Sequence, residues 1–122
     1  MKNAINQLND VVNYTWGRSS GDGTRSVTCE VNNDELLIKF QTVVHFASEQ
    51  ALRQQVDRLV EESTQIIAGK VDHTKANYKE AAGVSLKLEE VSNQDSIEMV
   101  SASNLNPRKI AIYRRTCVLR VQ

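Results

Sequence analysis

The stretch from Ser48 to Gly83 has the sequence SEQALRQQVDRLVEESTQIIAGKVDHTKANYKEAAG, and it decides the fold that the chain predicts. Apolar residues, with a few small polar ones, recur in it at intervals of three and four, which places them on one side of an α-helix. This stripe consists of Leu52, Val56, Leu59, Val60, Ser63, Ile66, Ile67, Val71, Thr74, Tyr78 and Ala81. We therefore expect one helix over residues 49–82.

Both ends of this helix carry residues that favour helix capping or termination. Ser48 can cap the N-terminus, and Glu49 lies favourably in the positive first turn. Gly83 can end the helix. Gly69 costs the helix about 1 kcal/mol relative to alanine, which is less than the packing of the second half contributes. We expect the helix to continue through Gly69, either straight or bent there; the alternative is two helices, with Asp72 capping the second.

The segments around the helix alternate between apolar and polar residues, as half-buried strands do. Residues 24–31 and 35–46 predict a hairpin, since Asn32-Asn33-Asp34 between them favours a turn. Three further strands are expected after the helix, separated by breakers at residues 92–95 and 104–107. These strands cover residues 84–89, 96–102 and 108–121, with Ile97 and Met99 of the second pointing inward.

The chain is expected to form one domain over residues 1–122, which is an ordinary length for a single core. A short helix over residues 3–15 ends at Trp16, and a flexible loop over residues 17–23 follows it. Residues 24–122 form a ββαβββ core. The predicted fold class is α+β, with an antiparallel sheet of about five strands and the long helix packed on one face.

The phase of the final strand is inconsistent. Ile110 and Ile112 share one face, whereas Cys117, Leu119 and Val121 share the other. Either a β-bulge or a change of environment near Tyr113-Arg114-Arg115 would reconcile the two halves.

Charge is distributed unevenly along the chain. The formal net charge is zero, yet residues 108–122 hold five cations and no acid, and the remainder holds ten cations and fifteen acids. Such asymmetry concerns partners rather than fold. The candidate partner-binding residues are Arg108, Lys109, Tyr113, Arg114, Arg115 and Arg120.

No enzymatic signature emerges from the residues, so we expect neither catalytic residues nor a cofactor or metal. His45 and His73 lack further ligands at metal-binding spacing. Cys29 and Cys117 fall in the inward phase, which predicts two reduced core thiols; a disulfide between them remains open. The glycine-rich loop precedes a strand and has no following lysine, so it does not predict a phosphate cradle.

Three functions remain in competition. The first is a non-enzymatic assembly protein that self-associates, as a homo-oligomer, or docks into a larger particle, such as a virus or phage. The second is a nucleic-acid-binding module that uses the basic strand through residues 108–120. The third is a small ligand-binding or catalytic cup between helix and sheet. No run of consecutive apolar residues is long enough to span a membrane, and no secretory signal is recognisable. We therefore expect an intracellular or particle-bound protein.

Overall fold

The computed structural model describes residues 4–16, 25–100 and 109–122. Two helices and a four-stranded antiparallel sheet of order β1-β2-β4-β3 make up this part of the chain. In chain order the elements are α1 (Ala4–Trp16), β1 (Arg25–Asn32), β2 (Glu35–Phe46), α2 (Glu49–Ala82), β3 (Leu88–Val100) and β4 (Lys109–Val121). The α+β class with an antiparallel sheet is confirmed. The predicted loop over residues 17–23, the breaker at 104–107 and Arg108 lie outside the described residues.

The long helix forms as predicted. α2 runs without interruption from Glu49 to Ala82 and passes through Gly69. Ser48 caps it, because its side-chain oxygen accepts a hydrogen bond from the Ala51 amide at 3.2 Å. Gly83 follows the last turn with φ of 77° and donates its amide to the Lys79 carbonyl at 2.8 Å. A residue without Cβ adopts this left-handed conformation most easily, so Gly83 ends the helix.

The predicted hairpin is also confirmed. β1 and β2 pair antiparallel from Arg25 opposite Thr42 to Asn32 opposite Glu35. The turn between them places Asn33 at φ of 57°, a left-handed conformation that asparagine tolerates better than most residues.

The expectation of about five strands is wrong, because the sheet that the described residues form has four. Residues 92–95 do not break the chain. They lie inside β3, which pairs with β4 continuously apart from one register shift between Glu90 and Ser92. The long partner strand supplies backbone hydrogen bonds along this whole segment, and an edge position lets polar side chains remain in water. Pairing therefore overrides the turn preference of the Ser-Asn-Gln-Asp sequence.

The bulge expected near Tyr113-Arg114-Arg115 is absent from the β2–β4 ladder, whose register runs unbroken from Glu35 opposite Arg120 to Phe46 opposite Lys109. The odd-numbered residues of β4 keep one phase throughout. They face the same side as the even-numbered residues of β2, which are buried from Leu36 to Phe46. We call this side of the sheet the inner face and the other the outer face. Ile110 and Ile112 lie on the outer face, so aliphatic residues on both faces produced the apparent phase change.

The inner face and the helices contribute to one hydrophobic cluster. Leu59, Ile67 and Tyr78 of α2 and Val12 and Trp16 of α1 belong to it together with the buried residues of β2 and β4. Polar contacts add to this cluster. Trp16 donates its indole N–H to the Thr74 hydroxyl at 2.8 Å, and Gln55 donates its side-chain amide to the His45 carbonyl at 3.0 Å.

Candidate functional site

The two faces of the sheet divide the basic residues of β4. Arg114 and Arg120 lie opposite the outer-face residues Gln41 and Glu35, whereas Arg115 lies opposite the buried Phe40. Tyr113 is completely buried on the inner face. Lys109 is exposed at the start of β4, and Arg108 lies outside the described residues. The structure thus does not bring the five described candidate residues together on one surface.

The outer-face arginines contact acids of the neighbouring strands. Arg114 donates to Glu98 of β3 at 2.7 Å and to the side chain of Gln41 at 2.8 Å. Arg120 donates to Glu35 of β2 at 3.1 Å. These pairs are substantially exposed, so each contributes at most about 1 kcal/mol to stability. They nevertheless place a carboxylate beside each of these two cations.

The inner-face residues form a closed polar network. The Tyr113 hydroxyl donates to the Asp95 carboxylate and lies 3.4 Å from the Ser63 hydroxyl of α2. Arg115, whose side chain is 11% exposed, contacts the same carboxylate at 3.3 Å. Burial, followed by the hydrogen bond to Asp95, raises the pKa of Tyr113 above its ordinary value. A buried tyrosine that keeps its proton is suited to holding β3, β4 and α2 together rather than to acid–base chemistry.

The cysteines do not form a disulfide. Cys29 and Cys117 are both free, and each pairs with Ile38 from opposite sides, so the central strand β2 separates them. Burial raises the pKa of Cys29 to about 12, and it also raises the pKa of Cys117. The prediction of two reduced thiols is confirmed. Thiols that remain protonated are poor nucleophiles, so neither residue has the properties of a reactive cysteine.

The most conspicuous surface is the free edge of β3. β3 pairs with β4 on one side, and no strand of the described residues pairs with it on the other. Three apolar side chains near its end are exposed, at 46% for Ile97, 56% for Met99 and 36% for Val100. Beside them, a groove of about 310 Å³ lies between Ile97 and the first turns of α2, where it is lined by Leu52 and Val56. We call Ile97, Met99, Val100 and this groove the β3 edge surface.

Sequence reasoning missed this surface because it expected Ile97 and Met99 to be buried. Both do lie in the inner-face phase, opposite Tyr113 and Ala111. The composition of the strand held a usable signal: residues 88–100 include four acids and no cation, which is typical of an edge strand rather than of a central one.

Other functional features are few within residues 4–16, 25–100 and 109–122. These residues contain no cluster of three or more His, Cys, Asp or Glu side chains arranged to hold a metal ion. His45 and His73 are both exposed and lie on different elements. None of the helices described is long and apolar enough to cross a lipid bilayer.

Comparisons with known proteins do not assign this chain to a family. No protein-family model, no curated protein sequence and no solved structure matches it.

Proposed function

We propose that this chain is a non-enzymatic assembly protein whose copies associate through the β3 edge surface. The observation that supports this proposal best is the exposure of Ile97 and Met99 on the inner face, with Val100 on the outer face, at the end of a strand with a free edge. An unpaired strand offers a row of backbone N–H and C=O groups to another strand. In the same proposal, α2 covers the inner face over β2 and β4 and leaves the inner face of β3 accessible.

The charges of β3 favour one register for pairing with a second copy. Glu89 and Glu90 lie near the start of the strand, where antiparallel overlap would bring them close to acids of the other copy. Pairing centred on Ile97 avoids this contact, because Ile97 then faces its own counterpart and Asp95 faces Met99. The two α2 helices would flank the resulting apolar patch on the inner face.

The arginines of β4 assist this pairing electrostatically. Glu98 and Asp95, the two acids nearest the proposed centre, already contact Arg114 and Arg115. Repulsion between two acidic edges is therefore reduced at the place where the apolar residues lie. Three of the five cations of residues 108–122, which suggested a nucleic-acid interface, thereby gain a role within the sheet. Arg114, Arg115 and Arg120 each have a carboxylate partner, so the nucleic-acid alternative has less support.

The proposal is tested by measuring molar mass with light scattering after size-exclusion chromatography, over a range of protein concentrations. We expect a dimer or larger species whose population increases with concentration and with salt, since salt screens the remaining acids of β3. Met99→Glu should dissociate it. Val84→Glu is the matched control, because Val84 is 58% exposed and lies outside the strands.

Three results would contradict the proposal. One is a strictly monomeric wild-type protein at high concentration, at both low and high salt. Another is an oligomer that both glutamate variants leave intact while circular dichroism shows them folded. The third is tight, salt-sensitive binding to single-stranded nucleic acid that is lost in the Arg114→Ala, Arg115→Ala double variant, which would favour the alternative function.

A further inference from the structure

A second surface lies between the two helices. A cleft of about 510 Å³ separates the last turn of α1 from the middle of α2. Its principal lining residues are Tyr14 of α1 and Ile66, Gly69, Lys70, His73 and Asn77 of α2. This volume falls within the range of about 300–1,000 Å³ that is usual for small-molecule sites.

The charge of the cleft comes from Lys70. Its ammonium group donates a hydrogen bond to the Thr15 carbonyl in the last turn of α1 at 3.4 Å and lies 5.9 Å from the centre of the Trp16 ring, and neither neighbour carries a formal charge. Among the residues that the structure describes, no carboxylate approaches Lys70 within 4.0 Å, and the cleft has no acidic lining residue. A half-buried cation with neutral neighbours attracts an anion more strongly than a fully solvated lysine does.

Three further residues shape the cleft around this cation. Gly69 lines an open part of it, since a Cβ built at this position would have no heavy atom within 4 Å. Asn77 donates its amide to the Thr15 hydroxyl at 3.0 Å and so holds the two helices at a fixed spacing beside Lys70. Tyr14 stands at the rim with 83% of its surface exposed, which leaves an aromatic face available for stacking.

The groove on the far side of Tyr14 and Asn77 differs in charge. Asp10 and Glu80 line that neighbouring groove, so it would repel an anion. The two grooves share the Tyr14 ring but present opposite charges, and an anion is therefore directed to the Lys70 side.

We propose that the cleft binds a small organic anion with a planar ring, its phosphate or carboxylate at Lys70 and its ring against Tyr14. A nucleoside monophosphate and an aromatic carboxylate share this chemistry. The site is independent of the β3 edge surface, so either proposal can fail without the other.

The single tryptophan of the chain provides the measurement, because Trp16 lies beside Lys70. Adenosine monophosphate, benzoate, adenosine and inorganic phosphate are titrated separately at low salt, with tryptophan fluorescence and calorimetry as readouts. We expect saturable binding of adenosine monophosphate or benzoate, and competition by inorganic phosphate. The stronger of the two ring-bearing anions identifies the source of the anionic group. Adenosine binding as tightly as its monophosphate would overturn the proposal, as would the absence of saturable binding by either anion.

Substitutions of Lys70 and Gly69 distinguish a ligand site from a purely structural role of these residues. Lys70→Gln should weaken binding by about tenfold or more, since it removes a charge-assisted hydrogen bond. Gly69→Leu should weaken binding by placing a branched side chain in the cleft, yet leave α2 intact because leucine favours a helix more than glycine does. Lys75→Gln is the control, since Lys75 is exposed on α2 and does not line the cleft. Equal affinity in Lys70→Gln and Lys75→Gln, or undiminished affinity in a folded Gly69→Leu protein, would overturn the site.

Discussion

The hydroxyl group of Tyr113 donates its hydrogen bond to the carboxylate of Asp95, diagonally across the inner face from β4 to β3, since Tyr113 pairs with Ile97 and Asp95 with Arg115. Tyr113→Phe removes this hydrogen bond and keeps the ring, so the free energy of unfolding should fall by about 1 kcal/mol. Asp95→Ala should cost more, because Arg115 also loses its carboxylate. Urea unfolding of the two single variants and the double variant measures the coupling between the two residues.

Tyr78→Phe is the matched control for this cycle. Tyr78 is also buried, and the structure gives its hydroxyl no hydrogen bond to a described residue. We expect this substitution to change stability less than Tyr113→Phe does. Strictly additive effects of Tyr113→Phe and Asp95→Ala would contradict the predicted coupling.

The two glycines of the α2 region should respond in opposite directions to the same substitution. Gly69→Ala should stabilise the protein by about 1 kcal/mol, because Gly69 is helical and a Cβ there meets nothing. Gly83→Ala should destabilise it by about 1 kcal/mol, because Gly83 has φ of 77° and alanine is strained in that conformation. Thermal and urea unfolding of both variants check the prediction. A loss of stability in Gly69→Ala would indicate that a side chain at this position is not accommodated.

Alkaline pH should weaken the fold through the buried thiols. Burial raises the pKa of Cys29 from 9.0 to about 12, so the folded chain keeps a proton that the unfolded chain releases. Stability is therefore fully present below about pH 9 and declines as the pH rises toward 12, by at most about 1.4 kcal/mol per pH unit for this group. Tyr113 and Cys117, whose pKa values are also raised, act in the same direction.

Urea unfolding between pH 8 and pH 10.5 measures this decline, and Cys29→Ala isolates its cause. The variant should be less stable at neutral pH, where its missing side chain leaves a space, but should lose less stability on alkalisation. Parallel pH profiles for wild type and variant would show that Cys29 does not contribute.

The local elements were predictable because their signals are strong and depend on few distant contacts. Ser48, the helical stripe and Gly83 define α2 without reference to the sheet, and a short turn joins β1 to β2. The prediction of a break at Ser92–Asp95 failed because the structure of this segment depends on pairing with β4, which begins after residue 108. A polar tetrapeptide has the same local preferences in a loop and in an edge strand, so the sequence of that segment alone cannot distinguish them.

The candidate site depended still more on register. The five cations of residues 108–122 suggested an external partner, but Asp95 lies directly opposite Arg115 and Glu35 directly opposite Arg120. These pairings follow from the strand order β1-β2-β4-β3, which charge totals do not reveal. The exposure of Met99 likewise depends on the strand order, which places β3 at an edge of the sheet. The alternation of apolar and polar residues correctly predicted the face of the sheet on which Met99 lies, but it wrongly predicted that Met99 is buried.

The central position of β4 has a consequence for how the protein is made. A ribosome synthesises β3 before β4, yet β3 has no partner strand until β4 emerges and inserts between β2 and β3. At one end of the β2–β4 ladder, Glu35 pairs with Arg120, and the two residues are 85 positions apart in the sequence. Contacts of such long range slow folding. During translation, the nascent chain therefore presents β2 and β3 with unpaired edges. General chaperones that shield such edges have their longest opportunity to act on this protein in that period.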